Sequence, residues 1–326
     1  MEKRKLIYDC DPGTDDSVSI IMAIMEPTVD LLAITCESGN FKASMSANHA
    51  LKVLEYIGHP EIPVYKGTEH PLTREYPSDP YSHGKDGLGN HFFPEPKLQV
   101  QEKHAANAIV DLVNKYPGEI TLVCSAPLTN LALALLIDES IKDKIKQVIH
   151  LGGAYGFSSY AFTNATGDNP MSEWNVYVDP EAAKIVYESG INLLTIGLDV
   201  AFNPEMVNID EEYLERLRKA DNKAAKYALE IIEYIDGNNT IKEKGLFING
   251  PIDTTAMCSF IEPSLLKTEK IHVKVDTGSQ LTRGMTITDR RDHFMWTHIP
   301  EIETAVSIDS KKYQETFVRI LEGADK

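Results

Sequence analysis

Short apolar, β-rich runs alternate with longer helix-like stretches through the first two thirds of this 326-residue chain, and no other feature limits its fold as strongly. The runs are KLIYDC, LLAITCES, IPVYKG, EITLVCSA, QVIHLGGA and INLLTIGLDV. Helical patterns lie between them at 44–57, 104–116, 128–137 and 180–188. A strand apolar along its whole length, instead of at every second residue, has both faces covered, and helices between successive strands supply that cover. The pattern predicts an α/β fold, an open, mostly parallel sheet with helices on both faces. Two segments break the rhythm. Residues 67–99 are rich in proline and contain HGKDGLGN, which predicts a long surface loop or flap. Residues 155–175 are polar and irregular. Beyond Pro204, NIDEEYLERLRKA and NKAAKYALEIIEYI are expected as extra C-terminal helices packed at one edge. No repeat or linker composition interrupts the chain, so residues 1–326 are expected to form one domain.

Charge narrows the partners. Lys and Arg total 32 against 49 Asp and Glu, a formal net charge of −17, and no basic cluster follows the first few residues. Nucleic acid and anionic membrane are therefore not expected as partners. Cys10, Cys36, Cys124 and Cys258 lie in or beside apolar segments without a CxxC pair, as reduced, buried thiols of a cytoplasmic protein would. MEKRKLIYDC begins like an export signal, but Asp9 interrupts its apolar part after three residues. No later run is long enough to span a bilayer.

Four aspartates, Asp9, Asp11, Asp15 and Asp16, fall within eight residues at the end of the first strand. In an open Rossmann-like sheet, ligands bind outside the carboxyl ends of the strands. One or two aspartates there would serve as a helix cap and complement the helix dipole. Four carboxylates so close raise one another's pKa unless a cation or shared protons neutralise them. Oxygen donors suit a hard divalent cation, calcium or magnesium, and Pro12-Gly13 lets the chain turn so that residues on both sides face one point. No P-loop or dinucleotide fingerprint competes, since LGGAYG lacks the spacing of either.

DCDPGTDD resembles the N-terminal signature of the calcium-dependent nucleoside hydrolases, the inosine-uridine preferring family, and the likeness runs on through the chain. AITCESGN at 33–40 is similar to the family's second strand, which ends in an asparagine, and HGKDGLGN to its flap. TLVCSAPLTNLA is similar to its mid-chain metal strand, LGGAY to its glycine turn and SEWNVYVDPEAA to its ribose-binding segment. The resemblance implies Ca2+ held by Asp11, Asp16, the backbone carbonyl of Ser125, and Asp253 in GPIDTTA. It implies that Asp15, Asn40, Glu173 and Asn175 hold the ribose hydroxyls, with Asp9 behind the turn. Asp11 would also be the base for a calcium-bound water. The implied reaction is hydrolysis of the N-glycosidic bond of ribonucleosides to free base and ribose with inversion, in purine or pyrimidine salvage. A small-molecule nucleoside would be the substrate and a homodimer or homotetramer the assembly.

The chain departs from that family around the leaving base. Ile252 stands where the resemblance expects a proton-donating histidine, and Asn239 where some members carry a tyrosine. TNATGDNPMSEWN offers Asn164 or Asn169 for an asparagine expected nearer Glu173, and Asn169 is the one assigned to substrate. Help for the base could come from stacking on Tyr155, Phe157, Tyr160 or Phe162, or from His83 or His91 in the flap. Two rival readings remain at this point. DCDPGT superficially resembles the nucleophile loop of haloacid-dehalogenase phosphatases, with Asp9 phosphorylated and Asp11 as the acid, although no downstream lysine or acidic pair accompanies it. A calcium-dependent ribonucleoside-binding protein, without turnover because of Ile252, would use the same ligands; the retention of Asp11 as base for the water favours the enzyme.

Overall fold

The computed structural model describes residues 3–77, 82–163, 165–237, 250–293 and 295–323. Each of the six apolar runs contains a strand: β1 (Arg4–Cys10), β2 (Val29–Cys36), β3 (Val64–Lys66), β4 (Thr121–Cys124), β5 (Gln147–Leu151) and β6 (Leu193–Ile196). They pair in parallel in the order β3-β2-β1-β4-β5-β6, so β1 lies inside the sheet with β2 and β4 as neighbours. Strand alternation sends successive side chains to opposite faces. Leu6, Tyr8 and Cys10 join Val18, Ile21 and Met22 of α1 (Thr14–Met25) in one core cluster. Ile7 joins a second with Leu122 and Val148, under Ile109 of α3 (Ala105–Lys115) and Leu131 of α4 (Thr129–Ile137).

The C-terminal third contains more than the expected helices. Those helices exist, at Glu211–Lys219 and Lys223–Gly237. Three further strands follow them: β7 (Leu266–Val275), β8 (Thr286–Asp289) and β9 (Glu301–Ile308). β9 pairs parallel to β6, and β7 and β8 add antiparallel to complete a mixed, mostly parallel sheet of nine strands among the described residues. EKIHVKV in β7 alternates polar with apolar, the pattern of a strand with one wet face, which a search for continuously apolar runs passes over. The final helix, Ser310–Glu322, ties this third together, since Arg216 pairs with both Glu315 and Glu322 on it. The flap has neither helix nor strand among its described residues. It is ordered by Asp86, whose carboxylate accepts from the amides of Leu88, Asn90 and Phe92. No helix among the described residues is long and apolar enough to cross a membrane, and all four cysteines are buried and free.

Candidate active site

The turn from β1 into α1 puts Asp15 and Asp16 in the first turn of a helix, where the dipole favours negative charge. Gly13 precedes them, and a Cβ there would meet the ring of His83 at 2.4 Å. Gly39, after β2, is equally constrained: a Cβ would lie 2.0 Å from Oδ2 of Asp11. Two glycines thus let the flap and the β2 loop close onto the acidic turn. His49, which the sequence did not single out, supports the turn from α2 (Ala43–Ile57) by donating from Nδ1 to the carbonyl of Pro12 at 2.7 Å. Burial lowers its pKa to about 4, so it does this as a neutral ring.

Carboxylate oxygens of Asp15, Asp16 and Asp253 lie within 4.8 Å of one another, all three residues buried. Asp15, expected to serve ribose, takes the place in this trio that Asp11 was expected to hold. Asp11 stands beside it, fully buried, with Oδ2 accepting from the backbone amide of Asn40 and Oδ1 without a partner. Oδ1 of Asp15 is likewise buried without a partner. Burial, then the neighbouring charge of Asp15, pushes Asp16 up to about 6. Burial raises Asp11 and Asp253 well above the usual carboxylate range, with the charges of the other aspartates adding to it. Two unsatisfied carboxylate oxygens inside an all-oxygen cluster of like charges fit a hard divalent cation. Ser125, at the end of β4, donates from Oγ to Asp16 Oδ1 at 2.5 Å, and its carbonyl accepts from Nδ2 of Asn175 at 3.2 Å.

Asp15 and Asp253 of this cluster line a cavity of about 370 Å³ together with Asn40, His83, Ser125, Glu173, Asn175 and Ile252, whereas Asp11 and Asp16 are not part of its lining. Glu173 caps the short helix Trp174–Val178, accepting from the amides of Asn175, Val176 and Gly153, while burial pushes its pKa up to about 7. His83 approaches from the flap, its Nδ1 receiving the Thr14 amide at 3.2 Å and lying 4.0 Å from Asp15 Oδ1.

Several expected residues are elsewhere. Asn169 does not line the cavity; it spends its oxygen on Met171 and Ser172 and its amide on the carbonyl of Arg283, because the loop closes on itself there. None of Tyr155, Phe157, Tyr160 and Phe162 lines the cavity. Tyr155 is a core residue bonded to Gly152 and Tyr187, Phe157 lies under the guanidinium of Arg290, and Phe162 is 40% exposed. His91 is likewise absent from the lining and pairs with Glu230. Asn239 and Asn164 lie outside the described residues. The aromatic lining comes instead from Trp174, within SEWNVYVDPEAA, and Phe202, just past INLLTIGLDV. Leu198, Ala201 and Ile235 extend this apolar wall. Asp9 has no opening to a phosphate ester: it is fully buried, accepting from Thr35 at 2.5 Å and Asn130 at 2.9 Å, and burial pushes it up to about 6.

Comparison with known proteins agrees with this geometry. The family model described as inosine-uridine preferring nucleoside hydrolase matches residues 6–315. The chain is 33% identical over 317 residues to the probable uridine nucleosidase 1 of Oryza sativa subsp. japonica, covering 95% of this chain and 94% of the rice protein. Among solved structures it is similar to a plant nucleoside hydrolase, with a TM-score of 0.87 at 30% identity over 99% of both chains. It is also similar to the purine-preferring ribonucleoside hydrolase from Gardnerella vaginalis, with a TM-score of 0.84 at 30% identity over 98% of both chains.

Proposed function

This chain belongs to the inosine-uridine preferring nucleoside hydrolase family and hydrolyses the N-glycosidic bond of ribonucleosides to free base and ribose; we propose how its own residues do so. The observation that carries the reading is the pair of buried, unpartnered oxygens on Asp11 and Asp15 beside the Asp16 and Asp253 carboxylates. Asp11, Asp16, Asp253 and the carbonyl of Ser125 would hold a calcium ion, with Asp15, the third member of the buried trio, beside it. Bound there, calcium supplies the positive charge that lets these carboxylates ionise together and draws the sugar diol toward them.

Asp15, Asn40, Glu173 and Asn175 grip the ribose, their carboxylates accepting from its hydroxyls and their amides donating to them. Asp11 takes a proton from the attacking water at Oδ1, the oxygen left open by the Asn40 contact to Oδ2. Attack by water without a glycosyl-enzyme intermediate inverts the anomeric centre. The apolar wall of Trp174, Phe202 and Ile252 excludes water from the departing base. Ile252 has no proton to give, so His83, which lines the same cavity, takes that role: the Thr14 amide donates to Nδ1, which leaves Nε2 as the ring's donor to the departing base. The same reading makes the protein one domain, a cytoplasmic homodimer or homotetramer in nucleoside salvage, with its four buried free thiols in keeping with a reducing compartment.

Purified protein incubated with a panel of purine and pyrimidine ribonucleosides, with and without chelator, tests the assignment by chromatography of the free base. Release is expected from at least one nucleoside and is expected to stop on chelation. Release that continues in excess chelator removes the cation from the mechanism, and β-ribose as the first-formed sugar in NMR of a β-nucleoside reaction rules out inversion.

A further inference from the structure

We propose that Tyr8 is a positioning residue of the cation site: together with Ser125 its hydroxyl holds one oxygen of Asp16, leaves the other for the ion, and so sets the affinity for a divalent cation. The inference rests on the calcium reading above. Tyr8 is fully buried on β1, in the core cluster under α1, where an aliphatic side chain would satisfy packing. A buried phenol costs stability unless its hydroxyl is paired. Here it donates to Asp16 Oδ1 at 3.0 Å and lies 2.7 Å from Ser125 Oγ, which is 2.5 Å from the same Asp16 oxygen.

Three oxygens therefore meet around two hydroxyl protons. With Asp16 ionised, both protons turn to Oδ1 and fix the plane of the carboxylate. Oδ2 keeps only a 3.4 Å contact from the Gly13 amide and is the oxygen free for the ion. Phenylalanine at this position would keep the volume and leave Oδ1 with Ser125 alone.

The test is calorimetric titration of chelator-stripped protein with calcium chloride, comparing the native chain with Tyr8→Phe and Tyr187→Phe. Tyr187 is also buried, but its hydroxyl meets Tyr155 and His150 instead of the aspartates, so it controls for the loss of a buried hydroxyl. Loss of a partner that orients a metal-ligating carboxylate weakens binding about 10- to 100-fold. Tyr8→Phe is expected to raise the calcium Kd about 10-fold, because Ser125 remains, with the calcium needed for half-maximal base release rising in step. Tyr187→Phe is expected to leave the Kd unchanged. Equal Kd for Tyr8→Phe and the native chain overturns the proposal. No calcium binding by the native chain overturns the cation reading instead. Should Tyr8→Phe fail to fold by circular dichroism, Ser125→Ala keeps the carbonyl, removes the other donor to Oδ1 and is judged by the same shift.

Discussion

At the scale of single residues, the proposed division of labour among the acids makes definite predictions. Asp11 combines a fixed oxygen with an open one, so Asp11→Asn is expected to cut kcat by about 10²- to 10⁴-fold, the usual contribution of a general base, with the circular dichroism spectrum unchanged. Near-native turnover would give the base role to another group. His83→Ala is expected to slow nucleosides by about 10²-fold or more yet spare p-nitrophenyl riboside, whose leaving group needs no proton. Equal losses on both substrates would make His83 a lid contact only. Glu173 gives a pH signature in stability. Its pKa in the folded chain is raised to about 7 from an ordinary 4.5, so its contribution is fully present below pH 4.5 and is lost as the pH rises through 7. That shift corresponds to about 3 kcal/mol, and Glu173→Gln should flatten the native chain's loss of stability between pH 4.5 and 8 by this amount in urea unfolding. A parallel pH dependence in both proteins would show that Glu173 does not hold its proton in the folded state. Of these residues, Asp11, Asp15 and Glu173 were legible because a dense acidic turn and a specific motif mark them. Trp174 and Phe202 were not, because an aromatic in an apolar or loop segment reads the same whether it lines a cavity or fills a core.

At the scale of elements, the site depends on how closely β2's loop approaches the turn between β1 and α1. Gly39→Ala is expected to cost about 1–3 kcal/mol, the range for overpacking, and to displace Asp11 because the new methyl would occupy its Oδ2. Thermal melting together with turnover checks this, and an unchanged Tm would mean that the loop relaxes outward. The parallel strands were legible from their continuous hydrophobicity. β7, β8 and β9 were obscured because edge and antiparallel strands carry alternating polar residues, and EKIHVKV shows this most clearly. The loop at 155–163 is the opposite case. Its aromatics suggested a base platform, but the carboxylate of Asp199 accepts the amides of Tyr155, Phe157 and Ser158 and fixes the start of the segment, with Tyr155 buried and Phe162 exposed.

At the scale of the whole molecule, ligand and fold are thermodynamically linked. A cation that binds the folded chain and not the unfolded one stabilises it by about 2.7 kcal/mol at 100 times its Kd. Calcium is therefore expected to raise the calorimetric Tm of chelator-stripped protein, and an unchanged Tm at saturating calcium would remove the ion from the folded state. The sequence by itself determined the parallel layers and the acidic turn, because both arise locally: strand burial from runs of apolar residues, and Asp11, Asp15 and Asp16 from a single turn. The family resemblance named Asp253 in advance, but only the tertiary structure decided that Tyr8 and Ser125 bond the same oxygen of Asp16, and that Trp174, Phe202 and Ile252 line one cavity. Hydrophobic periodicity reports whether a side chain is buried. Which distant groups it meets is settled by the strand order β2-β1-β4-β5, which brings the ends of separate strands to one point.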